Sequence, residues 1–315
     1  GPVRPEAAIP TRRQAGFIDI CLWTPPAKEW FDSSKKIGVL HVFSDVCNLM
    51  NEKGIVLSVV TEPAAMTPIS MMVQGHRLDD SLRFSDCINP SSKVAHTSHV
   101  LKIGGIKLGM EGVEIWDPEV AWEEIGFDKA YNALPIVESA LQKRAAESYE
   151  QGTANAALGK EQKAFQTAYS SYIDHFGDMK GGIFISAIRD LAGLGLGLTP
   201  SGDDFLIGSM FALLLEGRSS SWETIYLIAK EAAPRTTSLS KTWLQAAAKG
   251  QAGMIWHWLF VAIKEGQMEK AAEYSSLIAN ARHTSGSDSL TGFILTMKSL
   301  ARLRSQDRSE GRGSE

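Results

Sequence analysis

DPEVAWEEIGFDKAYNALPIVESALQKRAAESYEQ, residues 117–151, marks the point where the chain changes character. From Pro118 onward, apolar side chains recur every three or four positions in alanine-rich segments, the spacing that places them on one face of an α-helix. That periodicity continues almost to the end. Before it, short runs rich in β-branched and aromatic residues alternate with clusters of Gly, Pro, Asn and Ser. They are GFIDICLW (16–23), GVLHVFSDVCNLM (38–50), GIVLSVVT (54–61), ISMMVQ (69–74) and HVLKIGG (99–105). These read as strands of a mostly antiparallel sheet. The expected fold is therefore α+β: an N-terminal β-rich domain over residues 1–118, then a mostly α-helical domain over 119–304. The tail SQDRSEGRGSE (305–315) has no apolar residue and is expected to be disordered.

Composition narrows the function classes. With 315 residues, 44% hydrophobic and 22% charged, the chain can bury a substantial core. A formal net charge of -4 leaves no basic footprint, which argues against nucleic acid and for small molecules or proteins as partners. Cys21, Cys47 and Cys87 match neither a disulfide framework nor a paired-cysteine metal site, and read as reduced core thiols. No window is apolar enough to span a bilayer, and the opening residues lack the succession of a secretory signal. A cytoplasmic location with no membrane partner is expected.

Within the helical half, GLGLGLTPSGDDFLIG (193–208) places five glycines and two adjacent aspartates directly before an apolar helix. Glycine costs roughly 1 kcal/mol against alanine in regular structure, so such a run points to a site. The run has an echo. SGDDFLIG (201–208) and SGSDSLTG (285–292) agree at five of eight positions, offset by 84 residues (285 minus 201), and each enters an apolar helix. Ser, Thr and Asp before an apolar run are N-cap residues, so both copies are expected to open helices.

A glycine-rich turn feeding a helix N-terminus also favours anions, through outward N–H groups and the helix dipole. Gly195, Gly197, Thr199, Ser201 and Gly202 are candidates to hold a phosphate or carboxylate. The spacing matches neither the dinucleotide fingerprint nor the P-loop, and the same residues also fit helix caps with glycines that let two helices pack closely. Asp203 and Asp204 would repel that same anion, which leaves three readings: they cap the backbone, they hold Mg²⁺, or they accept the N–H groups of an amide or ureido substrate. Amide recognition is the preferred one, with no cofactor assigned and Mg²⁺ on Asp203 and Asp204 as the metal alternative. A third polar cluster, Arg235-Thr236-Thr237-Ser238, precedes another helical segment and offers a forked cation beside hydroxyls. His283 stands immediately before Thr284, Ser285, Gly286 and Asp288 of the echo, where it can polarise a carbonyl or shuttle a proton.

Taken together, GLGLGLTPSGDDFLIG, TTSLSKTWLQAAAKG (236–250) and HTSGSDSLTGFI (283–294) resemble, in order and approximate spacing, the AllH-type family, assigned as a subunit of bacterial oxamate carbamoyltransferase. GVLHVFSDVCNLMNEKGIVLSVV (38–60) resembles the family's opening as well, so the likeness spans residues 38 to about 300 and is weak between 75 and 180. The chain departs from the family at Met66-Thr67-Pro68-Ile69-Ser70, where a Gly-Pro-Gly element is usual, and at Leu196, often proline. The resemblance implies a role in purine or allantoin breakdown beside an FdrA-type partner and a further subunit; apart from it, a homo-oligomer is the other assembly considered. It also implies carbamoyl exchange between oxamate and phosphate, that is, carbamoyl phosphate and an oxamate-like amide as small anionic substrates. In such a reaction the glycine loop would hold the phosphate or carboxylate. Asp203 and Asp204 would hold the amide nitrogen, Arg235 would supply a counter-charge and His283 would polarise the carbamoyl carbonyl. The alternatives are a hydrolase or ligase for another amide, and a non-catalytic ligand-binding or scaffolding subunit.

Overall fold

The computed structural model describes residues 16–74, 83–150 and 156–312, and the chain divides into two compact units, residues 1–117 and 118–315. Among the described residues of the first unit, nine strands form one sheet: β1 (Phe17–Trp23), β2 (Ile37–Val42), β3 (Val46–Asn51), β4 (Val56–Val60), β5 (Ser70–Val73), β6 (Val94–His96), β7 (Val100–Ile103), β8 (Ile106–Gly109) and β9 (Glu114–Ile115). Their order is β2-β3-β4-β5-β1-β8-β7-β6, with β9 beside β1. β2 also lies against β6, which curls the sheet into a barrel-like form. The sheet is mixed, because β4–β5, β1–β8 and β1–β9 pair in parallel. GVLHVFSDVCNLM proves to be a hairpin, with Phe43 N–H donating to Val46 O at 2.8 Å across its turn.

Helix α1 (Pro25–Ser33) packs Ala27, Trp30 and Phe31 into the sheet core, and Thr24 caps it by accepting from Ala27 N–H at 3.1 Å. A second, single-turn helix, α2 (Phe84–Cys87), follows β5. At Met66–Ser70 no glycine turn is needed. Ser70 Oγ accepts from Thr67 N–H at 3.0 Å and donates to Thr67 O at 2.7 Å, while Thr24 Oγ1 donates to Pro68 O at 2.7 Å. The three cysteines are free thiols, and burial pushes Cys47 up to about 12.

In the second unit the described helices are α3 (Trp122–Ile125), α4 (Phe127–Glu150), α5 (Ala156–Asp174), α6 (Gly182–Leu191), α7 (Ser201–Glu216), α8 (Ser219–Ala232), α9 (Ser238–Ala248), α10 (Met254–Lys264), α11 (Met268–Ala279) and α12 (Ser285–Arg312). α7 is the central one, buried at every position from Gly202 to Leu215, as its all-round apolar composition requires. Aromatic rings from four other helices close around its own two: Tyr169, Tyr172 and Phe184 around Phe205, and Trp256, Phe260 and Phe293 around Phe211 and behind it. The expectation of a disordered tail from Ser305 is corrected: residues 305–312 continue α12 as a polar, solvated extension, steadied where Arg218 reaches Asp307 at 3.1 Å. Residues 313–315 lie outside the described residues. No described helix is long and apolar enough to cross a membrane.

Candidate functional site

The sequence echo is a structural one. Gly208 of α7 lies against Ser289 of α12, so closely that a Cβ on the glycine would sit 1.8 Å from the Ser289 carbonyl oxygen. Gly292 of α12 lies against Phe205 of α7, where a Cβ would sit 2.0 Å from the carbonyl oxygen. Exchanging each residue of the first contact for its equivalent in the other copy, 84 positions on for Gly208 and 84 back for Ser289, turns it into the second. The two helices therefore run side by side in the same direction, related by a local two-fold axis, and glycine on each lets the backbones touch. The helices' preceding turns repeat the device: a Cβ on Gly202 would strike Leu191 O at 1.8 Å, and one on Gly286 would strike Ile278 O at 1.7 Å. Behind the contact Ser209 ties the bundle together, meeting Tyr172 Oη at 2.6 Å and accepting from Thr296 Oγ1 at 2.7 Å.

Both helix starts thus face one another, and Asp204 and Asp288 are the equivalent residues of the two copies. Asp204 is 1% exposed. One oxygen of each carboxyl, Asp204 Oδ2 and Asp288 Oδ2, is buried with no hydrogen-bond partner. Around them stand Ser285 beside Asp204 and Ser201 beside Asp288, again exchanged by the two-fold, together with Thr284, Tyr169 and the positive charges of Arg144 and Arg282. Burial and the facing Asp288 charge hold Asp204 well above the ordinary carboxyl range. Burial raises Asp288 to about 6, against the pull of Ser201 and Thr284.

Asp203 does something different. Its Oδ1 accepts from Gly193 N–H at 3.0 Å and its Oδ2 from Thr236 Oγ1, so it fastens the glycine loop to the turn before α9. Burial pushes it up, and these bonds together with Ser240 pull it back. Thr237 caps α9, accepting from Ser240 N–H at 3.2 Å, and donates to Leu198 O at 3.1 Å. Ser238 opens α9 and its carbonyl accepts from Thr242 Oγ1 at 2.9 Å. Gly193 (φ +72°) packs on the Arg235 carbonyl, where a Cβ would meet the oxygen at 2.7 Å. The loop therefore needs glycine both for its left-handed backbone and for this contact.

One expectation is revised by the geometry. Both copies open helices, but Pro200 precedes α7 without the expected side-chain cap. Loop carbonyls serve instead: Gly202 N–H donates to Leu194 O, those of Asp203 and Asp204 to Pro200 O, and those of Ser285, Gly286 and Asp288 to Arg282, Ala281 and Thr284. The first-turn N–H groups are thus largely spent. Open donors lie one step outward, in residues 195–199, whose backbone N–H groups make no hydrogen bond among the described residues. Gly195 (φ +127°) and Gly197 (φ +93°) shape that stretch, and Leu196 is 66% exposed on it. Thr199 sits half-buried at its end.

The cations take separate partners. Arg235, the counter-charge expected for a substrate anion, turns to α8, donating to Glu231 O at 2.6 Å with the Glu231 carboxylate 3.4 Å away. Arg282, on the exposed turn before α12, lays its guanidinium 4.4 Å over the Trp243 ring and is the positive charge felt by Asp204. Arg144 of α4 donates to Ala279 O and His283 O. His283 is exposed and, like Arg282, has a left-handed backbone (φ 57° and 50°). Arg144 and Tyr169 had no motif around them in the sequence, and Arg282 stands one residue before the third motif. Only the charge of the two arginines could have marked them. No group of three or more His, Cys, Asp or Glu side chains is arranged to hold a metal among the described residues.

The three sequence motifs converge: Asp203 joins the first to the second, Gly208 with Ser289 joins the first to the third, and Arg282 over Trp243 joins the third to the second. The family model described as oxamate carbamoyltransferase subunit AllH matches residues 191–297, the segment from the last residue of α6 into α12 that contains all three. That match, about a third of the chain, supports an AllH-type family. No curated protein and no solved structure matches the chain.

Proposed function

We propose that the chain is a subunit of a carbamoyltransferase, and that the junction of α7 and α12 binds the two small substrates, an amide and a carbamoyl donor. One observation carries the reading: two buried carboxyl oxygens, on equivalent residues of a repeated helix start, lack any donor. A buried acceptor without a partner costs about 1–3 kcal/mol, so a ligand bearing N–H groups is the natural complement. An amide or ureido NH₂ supplies two such donors from one planar group.

The anionic end of either substrate needs donors instead, and the open N–H groups of residues 195–199 offer them beside the dipole of α7. A small amide carrying a carboxylate, such as oxamate, and carbamoyl phosphate share this pattern of one amide end and one anionic end. Thr199 and Ser201 lie between the two zones. Catalysis of this kind is positional: it brings the amide nitrogen to the carbamoyl carbon and excludes water. The residues offer no covalent nucleophile arrangement, and a further subunit, including an FdrA-type one, would supply the rest of the active assembly in the cytoplasm.

The test is a carbamoyl-transfer assay on the full chain, alone and with candidate partner subunits, following phosphate release from carbamoyl phosphate with oxamate and a panel of other amides. Amide-dependent phosphate release supports transfer. Amide hydrolysis independent of carbamoyl phosphate would move the protein to the hydrolase class.

A further inference from the structure

We infer that Asp204 and Asp288 act as one carboxyl pair on the local two-fold axis, with Asp288 taking the proton of the acceptor amide and Asp204 positioning it. The inference rests on the carbamoyl-transfer reading and goes further by giving the two aspartates unequal tasks. Equivalence in the repeat puts them face to face, yet their surroundings differ. Asp204 is 1% exposed in the first turn of α7, with Ser285 and the Asp288 carboxyl of α12 facing it, so it is the deeper of the two and Oδ2 is its one oxygen left for a ligand. Asp288 is less enclosed, lies next to Ser201 and Thr284 at the open end of the helix pair, and still keeps Oδ2 without a partner.

Two carboxylates facing one another in a buried site do not both ionise easily. The proton stays with the deeper one, Asp204, and the shallower Asp288 is the acceptor. The other charged or titratable groups that face the pair are Asp203 on α7, Tyr169 on α5, Arg144 on α4 and Arg282 before α12.

The step balances as follows. The amide nitrogen of the acceptor attacks the carbamoyl carbon, forming an N–C bond while the C–O bond to phosphate breaks and the phosphate leaves with the electron pair. The proton released from nitrogen goes to Asp288 Oδ2 and is passed to the departing phosphate, which restores the carboxylate. Protonated Asp204 neither gains nor loses a proton and keeps Asp288 oriented.

Two measurements on the full chain test this. Carbon-13 NMR of labelled aspartate carboxyls follows the pair through pH without turnover. Two separate macroscopic steps are expected, collapsing to one in Asp204→Asn, and oxamate should move the lower step further down because its N–H groups favour the ionised form. In the assembled enzyme, Asp288→Asn should lower kcat by 10² to 10⁴ while KM for the amide changes less than tenfold. Asp204→Asn should act mainly through the pair, raising KM for the amide more than it lowers kcat and shifting the acid limb of the pH profile, which a merely structural role would leave in place. If Asp204→Asn fails to fold, the wild-type titration and Asp288→Asn still decide. Independent titration of both carboxyls in the ordinary range, or an Asp288→Asn enzyme as fast as wild type above pH 7, overturns the pair. A pair that titrates as expected in a protein that transfers no carbamoyl group leaves the pair standing and sinks the transfer reading instead.

Discussion

The two halves of the helix pair start alike and arrive differently. The turn from α6 into α7 spans residues 192–200 and bends through three left-handed glycines, Gly193, Gly195 and Gly197. The turn from α11 into α12 spans only residues 280–284 and bends through two left-handed residues with side chains, Arg282 and His283. The first is fastened from within by Asp203, and the position equivalent to Asp203 in the second copy is Ser287. The second is fastened from outside by Arg144 on α4. What is common to both, Ser-Gly-x-Asp and the later Gly, builds the helix contact and the carboxyl pair. What differs gives the site two unlike ends, one with open backbone donors and one with cationic side chains, as an unsymmetrical ligand requires.

The glycine contact is where the symmetry is easiest to break. Gly208→Ala places a Cβ against backbone that cannot retreat, and overpacking of this kind should cost about 3 kcal/mol or more. Gly292→Ala should cost a similar amount. Thermal or urea unfolding of the two variants measures both, and a large difference between them would mean that the two contacts are not equivalent.

The fastenings come next. Asp203→Ala strands Gly193 N–H and the Thr236 hydroxyl, an expected loss of about 2–3 kcal/mol accompanied by faster proteolysis within residues 193–200. Arg144→Ala frees the Ala279 and His283 carbonyls near the surface and should cost about 1–2 kcal/mol. Its proteolytic signature should be confined to residues 280–284. Cleavage of the glycine loop in both variants would instead show that the two turns open together.

The same contrast explains what was legible in the sequence. The class of fold was, because a period of two gives way to one of three and four near residue 118. The echo was, since five shared positions survive in an 84-residue offset. Its meaning as a helix contact was legible only as one alternative, glycines that let two helices pack closely, because sequence does not say which helices meet; the fold places Gly208 on Ser289. β6, β8 and β9 have two to four residues each, too short for an alternating pattern, and α1 hides behind two prolines. Arg144 and Tyr169 belong to helices far from any motif, so their place beside Asp288 is a product of tertiary packing. The doubled aspartate looked like one feature and is two. Asp203 points to the loop, while Asp204 belongs with Asp288.

That division yields the subtlest prediction, on pH. Asp288 titrates at about 6 in the folded protein and near 3.9 when unfolded, so between those values the folded state holds the extra proton. The stability linked to this group is fully present below pH 4 and is lost as pH rises through 6, by up to about 3 kcal/mol. Asp288→Asn removes the titration while preserving shape. At pH 7.5 the variant should therefore be more stable than wild type, by about 1–2 kcal/mol once the lost carboxylate contacts with Ser201 and Thr284 are set against the relief. The difference should shrink toward zero or reverse by pH 4. Chemical denaturation of both proteins across pH 4 to 8 measures it. A constant difference would mean that Asp288 is held by its neighbours as an ordinary structural carboxylate, and the unlike ends of the helix pair would then lose their acceptor.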